Sequence, residues 1–397
     1  MNISDLSRNA YLLCGSLSKK GYMRWFHSFS ATQHETGERR VFFIEYLIMN
    51  PSLGGDKPIL GQLPGNRKKG VRPSYLMIKA GAFAGDGGSV AVQLHQFYPL
   101  TQLKVALNPF VLQFGENFYS EQYIFGCVDV SCEEARRKSH MTDEGCMEWN
   151  LKVRKSIACH SGRLADSFHS AANALETFWH AEGIKAQYQG TVTLDGVTYE
   201  VTPQDSYGYA DKHWGSSFNV PWLQLGSCRL TSERTGRELK HSALAADGCC
   251  PRFLWFRLKR KLLLQLTYEG EDFEFNFSPF SRQCKWNVKR TNKRLIWQIV
   301  AQNKDAVIKV TLSSFLGEMM QLHYEDPTGR RPPEVLAGGN GCGKILLYRR
   351  VGDGSVDPEN TSFEKDAQNS SSQRNKELID TLYVDNVFCI YSDGDGD

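Results

Sequence analysis

At 397 residues the chain is too long for one small core and suits two domains of roughly 150–180 residues each. It is 41% apolar and 23% charged, an ordinary globular balance, and a net charge of +3 argues neither for nor against nucleic acid. No run approaches the about 18 consecutive apolar residues that would mark a membrane-spanning helix.

Strand signals dominate the first half. Val41 to Met49 is apolar except for Glu45, and Tyr75–Ala80, Val90–Phe97, Phe110–Phe114, Tyr123–Val130 and Met147–Val153 follow. Each run is short and punctuated by Gly, Pro, Asn or Asp, which predicts an all-β sandwich or barrel. Ser167 to His180, with Leu175, Phe178 and Trp179, is the best helical stretch and sits where a domain connection belongs. The second half repeats the pattern. Thr191–Leu194 meets Val197–Val201 across Asp195-Gly196, a pair suited to the positive φ angles of a two-residue hairpin. Trp222–Leu230, Phe273, Phe275 and Phe277 alternating with Glu274 and Asn276, Leu295–Ala301, Ala306–Leu312 and Ile345–Tyr348 read as further strands, with a short helix within Ser313–Met320. The expected fold is all-β: two lipocalin-like antiparallel β-barrel or sandwich halves with few short helices. The expected divisions are residues 1–165, 166–352 and a tail over 353–397, in which Asp353–Arg374 reads as a mobile loop and Leu382–Tyr391 as a late strand.

The eleven cysteines show no zinc-type spacing and the start lacks an apolar leader, so a reducing, cytoplasmic location with free thiols is expected. The basic runs Arg257–Lys261 and Lys285–Arg294 read as solvated hairpin faces, and no nucleic-acid partner is inferred from them. Gly338 to Lys344 resembles a phosphate loop, but Ile345 replaces the required hydroxyl, so the run reads as a glycine-rich turn entering a strand. No nucleophile elbow appears, and Ser161 within His160-Ser161-Gly162 is a weak nucleophile signal. His27, His95, His180 and His213 lack metal-ligand spacing, and no metal or redox cofactor is expected.

The run Tyr209-Ala210-Asp211-Lys212-His213-Trp214-Gly215 packs four titratable side chains and a tryptophan into seven positions. In an extended chain Tyr209, Asp211 and His213 share one face, and Lys212 and Trp214 the other. A buried carboxyl beside a phenol and an imidazole can keep and deliver a proton near neutral pH, and aromatic faces can stabilise a developing cation. The run is therefore placed at the wall or mouth of an apolar pocket. The same residues also suit an internal charge pair that fixes the barrel.

The stretch from Gly183 to Leu230 resembles the tocopherol cyclase family, part of a lipocalin-like group that includes carotenoid hydratases. The resemblance is carried by the hairpin at Thr191–Glu200, by Tyr209–Gly215, and by the strand with Trp222 and Gln224. Arg39–Tyr46 and Met147–Val153 are weaker matches, and order and spacing agree over roughly residues 20–350. Asp211 stands where the family usually has glutamate, and His213 where it has asparagine. The resemblance implies acid-catalysed cyclisation, hydration or isomerisation of a hydrophobic prenylated or polyene molecule, collected by peripheral contact with a membrane. Asp211 becomes the expected acid, Tyr209 and His213 its relays, and Glu45 a secondary acid; Trp214, Trp222, Lys212 and Gln224 become substrate contacts. The alternatives are a non-catalytic binder of lipids or other apolar metabolites, and a carbohydrate or interaction module with surface aromatics.

Overall fold

The computed structural model describes residues 9–159, 177–218, 220–250, 252–253, 256–257, 259–275, 284–351 and 376–393. The first sheet contains β1 (Tyr22–Gln33), β2 (Arg39–Met49), β3 (Tyr75–Ala82), β4 (Val92–Tyr98), β5 (Leu103–Leu107), β6 (Phe110–Phe114), β7 (Asn117–Ser120), β8 (Tyr123–Val130), β9 (Gly145–Ile157), β10 (Thr177–Leu194), β11 (Val197–Val201) and β12 (Gly208–Gly215). After it come β13 (Trp222–Ser227), β14 (Arg229–Ser232), β15 (Ala243–Cys249), the two-residue pair β16 (Arg252–Phe253) and β17 (Phe256–Arg257), β18 (Lys261–Tyr268), β19 (Glu271–Phe275), β20 (Cys284–Arg290), β21 (Arg294–Gln302), β22 (Ala306–Phe315), β23 (Met320–Leu322), β24 (Val335–Arg350) and β25 (Lys376–Ser392).

The first sheet runs β4-β3-β2-β1-β11-β10-β9-β8-β7-β6-β5, with β12 inserted between β1 and β10, and it curls until β4 packs on β8. The second runs β19-β18-β15-β13-β25-β24-β22-β21-β20, with β14 on β25 and β23 on β24, and β18 packs back on β20. The fold is all-β and lipocalin-like. Among the described residues the α-helices are short, at Pro64–Lys69 and Cys132–Ala135, and no helix is long and apolar enough to cross a membrane.

Alternation explains the outer strands. In β9, Met147, Trp149, Leu151 and Val153 are buried while Glu148, Asn150 and Lys152 are exposed. The Asp195-Gly196 turn has φ of 49° and 79°, the two positive angles its hairpin needs. β1, β2, β3, β12, β13 and β15 follow a different rule, because both of their faces are covered. One face of β1 and β2, with Trp25, Phe29, Phe42 and Tyr46, fills the first half's core. The other, with Phe26 and Phe43, packs on Trp222, Tyr324 and Phe388 in a separate core between the sheets.

This seam explains several departures from the sequence reading. The division between sheets falls between Gly215 and Trp222, not at residue 165, because β10, β11 and β12 hydrogen-bond into the first sheet; the Tyr209–Gly215 run belongs to the first half. Thr177–His180, expected as the end of a helix, begins β10; residues 160–176, with the rest of that stretch and His160-Ser161-Gly162, lie outside the described residues. So do Phe277 and the expected loop at 353–374. The glycines at 338–343 form no turn: they lie inside β24, and a Cβ on Gly339 would sit 2.6 Å from the Val41 side chain of β2. A Cβ on Gly226 of β13 would lie equally close to Tyr209, 2.6 Å from a ring carbon. These glycines let the sheets approach. The helix expected within Ser313–Met320 is only a 3-10 turn, Leu316–Glu318, between the end of β22 and the start of β23.

Candidate active site

Strands buried on both faces should carry only apolar residues, so the charges they hold are informative. In β12, Asp211 lies directly opposite Phe26 and His213 opposite Arg24; Phe26 in turn faces Glu45, which faces Lys79 on β3. Arg24, Glu45, Lys79 and Asp211 are completely buried. Arg24 donates to Glu45 Oε2 at 2.9 Å, to the Tyr324 hydroxyl at 3.2 Å and to Gln224 Oε1 at 3.0 Å. Tyr324 completes this group by donating to Glu45 Oε2 at 2.9 Å.

Asp211 is held differently. Its Oδ2 accepts hydrogen bonds from Trp179 Nε1 at 3.0 Å, from the Tyr209 hydroxyl at 2.9 Å and from Gln224 Nε2. Its Oδ1 has no hydrogen-bond partner among the described residues. His213 Nε2 lies between two carboxyl groups, 3.7 Å from Asp211 Oδ2 and 3.5 Å from Asp247 Oδ1 of β15. Trp222 Nε1 fixes Asp247 with a 3.0 Å bond. The site thus spans the seam: Arg24, Glu45, Trp179, Tyr209, Asp211 and His213 come from the first sheet, and Trp222, Gln224 and Asp247 from the second.

Burial sets the protonation states. It pushes the Asp211 carboxyl up to about 6, against the pull of Arg24 and of the Trp179 and Tyr209 hydrogen bonds. Burial pushes Asp247 up to about 7; Trp222 opposes the shift and the Asp211 charge adds to it. His213 is held neutral, well below its ordinary value, by burial and then by Arg24. Burial also works against the Arg24 charge, but Tyr324, Glu45 and Asp211 outweigh it and raise its pKa. Lys79 is lowered to about 7 by burial, with its ammonium 3.1 Å over the Tyr324 ring. Near neutral pH this leaves a fixed Arg24–Glu45 ion pair beside two carboxyls that hold protons weakly, with a neutral imidazole between them.

Of the residues expected from sequence, Asp211, Tyr209, His213, Trp222 and Gln224 meet here. Glu45 is present as the Arg24 counter-ion, 2.9 Å from its guanidinium. Lys212 and Trp214 do not join, because strand alternation points them into the first barrel. There Lys212 donates to the Ala10 carbonyl and lies over the Trp25 and Trp214 rings at 5.3 and 4.8 Å, while Trp214 stacks on Phe178. That interior holds a second polar group, in which Lys155 bridges Glu121 at 2.7 Å and Glu182 at 2.9 Å. The four histidines do not gather: His27 pairs with the Tyr188 hydroxyl, and His95 with the His140 carbonyl.

Arg24, Trp179, Asp247 and Tyr324 were missed. A single charge inside Tyr22–Phe29, and another inside Ala243–Cys249, were the available signals. The surface-aromatic reading fails where it can be checked, since Trp25, Trp149, Trp179, Trp222, Trp286 and Trp297 are all buried. Trp286 therefore offers no base-stacking platform on its basic hairpin.

No protein-family profile matches the chain, and no curated protein matches it. Several solved structures are similar in fold. An AttH-type protein of Nitrosomonas europaea is 10% identical, with 94% of this chain and 96% of that one covered, at a TM-score of 0.43. Kievitone hydratase of Nectria haematococca is 12% identical, with 96% and 93% covered, at 0.45. CghA is 10% identical, with 96% and 90% covered, at 0.48.

Proposed function

We propose that the seam is a proton-donating site, and that the chain cyclises, hydrates or isomerises a hydrophobic prenylated or polyene compound by protonating a carbon–carbon double bond. One observation carries the reading. Asp211 is fully buried and holds its proton up to about pH 6, and among the described residues it has no direct ion pair with Lys or Arg and keeps one carboxyl oxygen free of partners. Asp211 gives its proton to the alkene and leaves a carbocation. Phe26 and Phe388, stacked at 4.7 Å, and Tyr209, 5.7 Å from Phe388, present ring faces that favour positive charge. An internal phenol oxygen, or water, closes on the cation and releases a proton back to the carboxylate. Phenol capture gives a chromanol ring and water capture a tertiary alcohol. Because Asp211 has no exposure, entry of substrate requires the sheets to part along the seam.

A prenylated hydroquinone, the substrate class implied by the likeness of Tyr209–Gly215 to tocopherol cyclases, is the first compound to test. Purified protein incubated with it in D2O should yield product carrying one carbon-bound deuterium, read by mass spectrometry. Asp211→Asn should slow this by about 10²–10⁴-fold, the usual worth of a positioned acid. Conversion unchanged in Asp211→Asn removes Asp211 from the role. A second reading, a binding protein without turnover, is favoured by Gln224, which ties Asp211 to Arg24 as a static network would. It predicts that apolar compounds co-purify and are returned unconverted.

A further inference from the structure

On the outer face of the first half, β8 and β9 place two thiols and two carboxylates in one square. Cys127 lies directly opposite Glu148, and Asp129 opposite Cys146. Residues two apart on a strand share a face, so all four side chains stand on the same side of the sheet. We propose that Cys127, Cys146 and Glu148 bind a thiophilic divalent cation of the zinc type, with Asp129 or water in the fourth position.

Distance is the first argument. The sulfurs are 3.9 Å apart. Two thiolates on one tetrahedral zinc, with zinc–sulfur bonds of about 2.3 Å, stand about 3.8 Å apart. A disulfide needs about 2.05 Å, so this pair is spaced for a shared ion and not for a bond. Sulfur and carboxylate ligand atoms of Cys127, Cys146 and Glu148 all lie within 4.8 Å of one another. Preorganisation is the second. The backbone N–H of Cys127 is held by Asn117 Oδ1 at 2.8 Å, and that of Cys146 by Asp195 Oδ1 at 2.8 Å. Charge is the third. Glu148 and Asp129 lie beside both thiols and Asp195 beside Cys146, and among the described residues no Lys or Arg forms an ion pair with any of the three carboxylates. Access is the fourth: Cys127, Asp129 and Glu148 line an open cleft of about 700 Å³ together with Tyr98, Asn117 and Trp149. The two cysteines are nineteen positions apart in the chain, so no short spacing motif announces the site.

The test uses the full chain, reduced with a phosphine, stripped with a chelator and titrated with Cd²⁺, alone and after loading with Zn²⁺. One equivalent of Cd²⁺ per chain should produce sulfur-to-metal charge-transfer absorption, and chain preloaded with Zn²⁺ should need more Cd²⁺ to reach the same band, as expected of two ions sharing one site. Cys127→Ser and Cys146→Ser should each abolish the band, Glu148→Gln should weaken binding at least tenfold, and Cys342→Ser should leave it unchanged. In the wild type, Zn²⁺ should protect Cys127 and Cys146, and no other cysteine, from alkylation mapped by mass spectrometry; this measurement needs no variant to fold. Absence of a saturable band, a band that survives Cys127→Ser, or alkylation of both thiols unaffected by Zn²⁺ would each overturn the assignment.

Discussion

Replacing Asp211 by Asn separates stability from chemistry in a direction that most active-site substitutions do not test. In the folded chain the Asp211 carboxyl is pushed up to about 6 from 3.8. An acid with a raised folded pKa binds its proton better folded than unfolded, so its contribution falls as pH climbs through that window. Below pH 3.8 both states are protonated and nothing is lost; above pH 6 the folded state carries a charge it would shed in water. At 1.36 kcal/mol per unit the loss is about 3 kcal/mol, of which roughly half falls between pH 5 and pH 8. Asn has the carboxyl's shape and no charge. Its oxygen can accept the bonds from Trp179, Tyr209 and Gln224, while its amide meets the position of the unpartnered Oδ1, at a cost of about 1–3 kcal/mol. That cost is independent of pH. Urea unfolding of wild type and Asp211→Asn, followed by tryptophan fluorescence, should therefore show the variant gaining on the wild type by about 1.4 kcal/mol from pH 5 to pH 8. A stability difference that stays constant over this range, or moves the other way, refutes the claim that Asp211 is a desolvated carboxyl, and the proton-donor reading goes with it.

If a protonated carboxyl supplies the reaction, kcat/KM should be level below about pH 6 and fall tenfold per unit above the Asp211–Asp247 range; a rate that rises with pH through 6–7 contradicts it. Asp211→Asn should also lower the Asp247 pKa, because the Asp211 charge contributes to its elevation; carboxyl infrared titration of Asp247 reads this directly. Arg24→Met strands Glu45 as a buried charge and should cost about 3–5 kcal/mol by urea unfolding, while Arg24→Met with Glu45→Gln recovers most of it; equal losses would show that the pair is not coupled. Gly339→Ala forces β24 against Val41 and should destabilise by about 1–3 kcal/mol, partly recovered by Val41→Ala, which removes two of the three crowding atoms. Full loss in the double variant would place the clash elsewhere.

Much of the architecture was legible because antiparallel strands announce themselves by period and punctuation. The Asp195-Gly196 hairpin and the alternation of β9 needed no tertiary information. β10 was misread for a physical reason. Phe178 and Trp179 are neighbours in sequence and look like one helical stripe, but in a strand they point to opposite faces, and here both faces are buried: Phe178 stacks on Trp214 and Trp179 bonds Asp211. β1 was overlooked for a related reason, since Arg24, His27 and three serine or threonine side chains break up an apolar run that is nonetheless covered on both sides. The site shows the same limit. Alternation alone put Tyr209, Asp211 and His213 on one face and Lys212 and Trp214 on the other, which the register of β12 reproduces. What decides the chemistry is the company that face keeps. Gln224 and Asp247 lie across the seam in the other sheet, and Tyr324, the partner of Arg24, lies 300 residues away from it in the chain. A raised carboxyl pKa is a property of the seam as a whole: it requires one sheet to bring the acid, the other to bring its second carboxyl and to exclude water, and two glycines, Gly226 and Gly339, to let the sheets come close enough to do so.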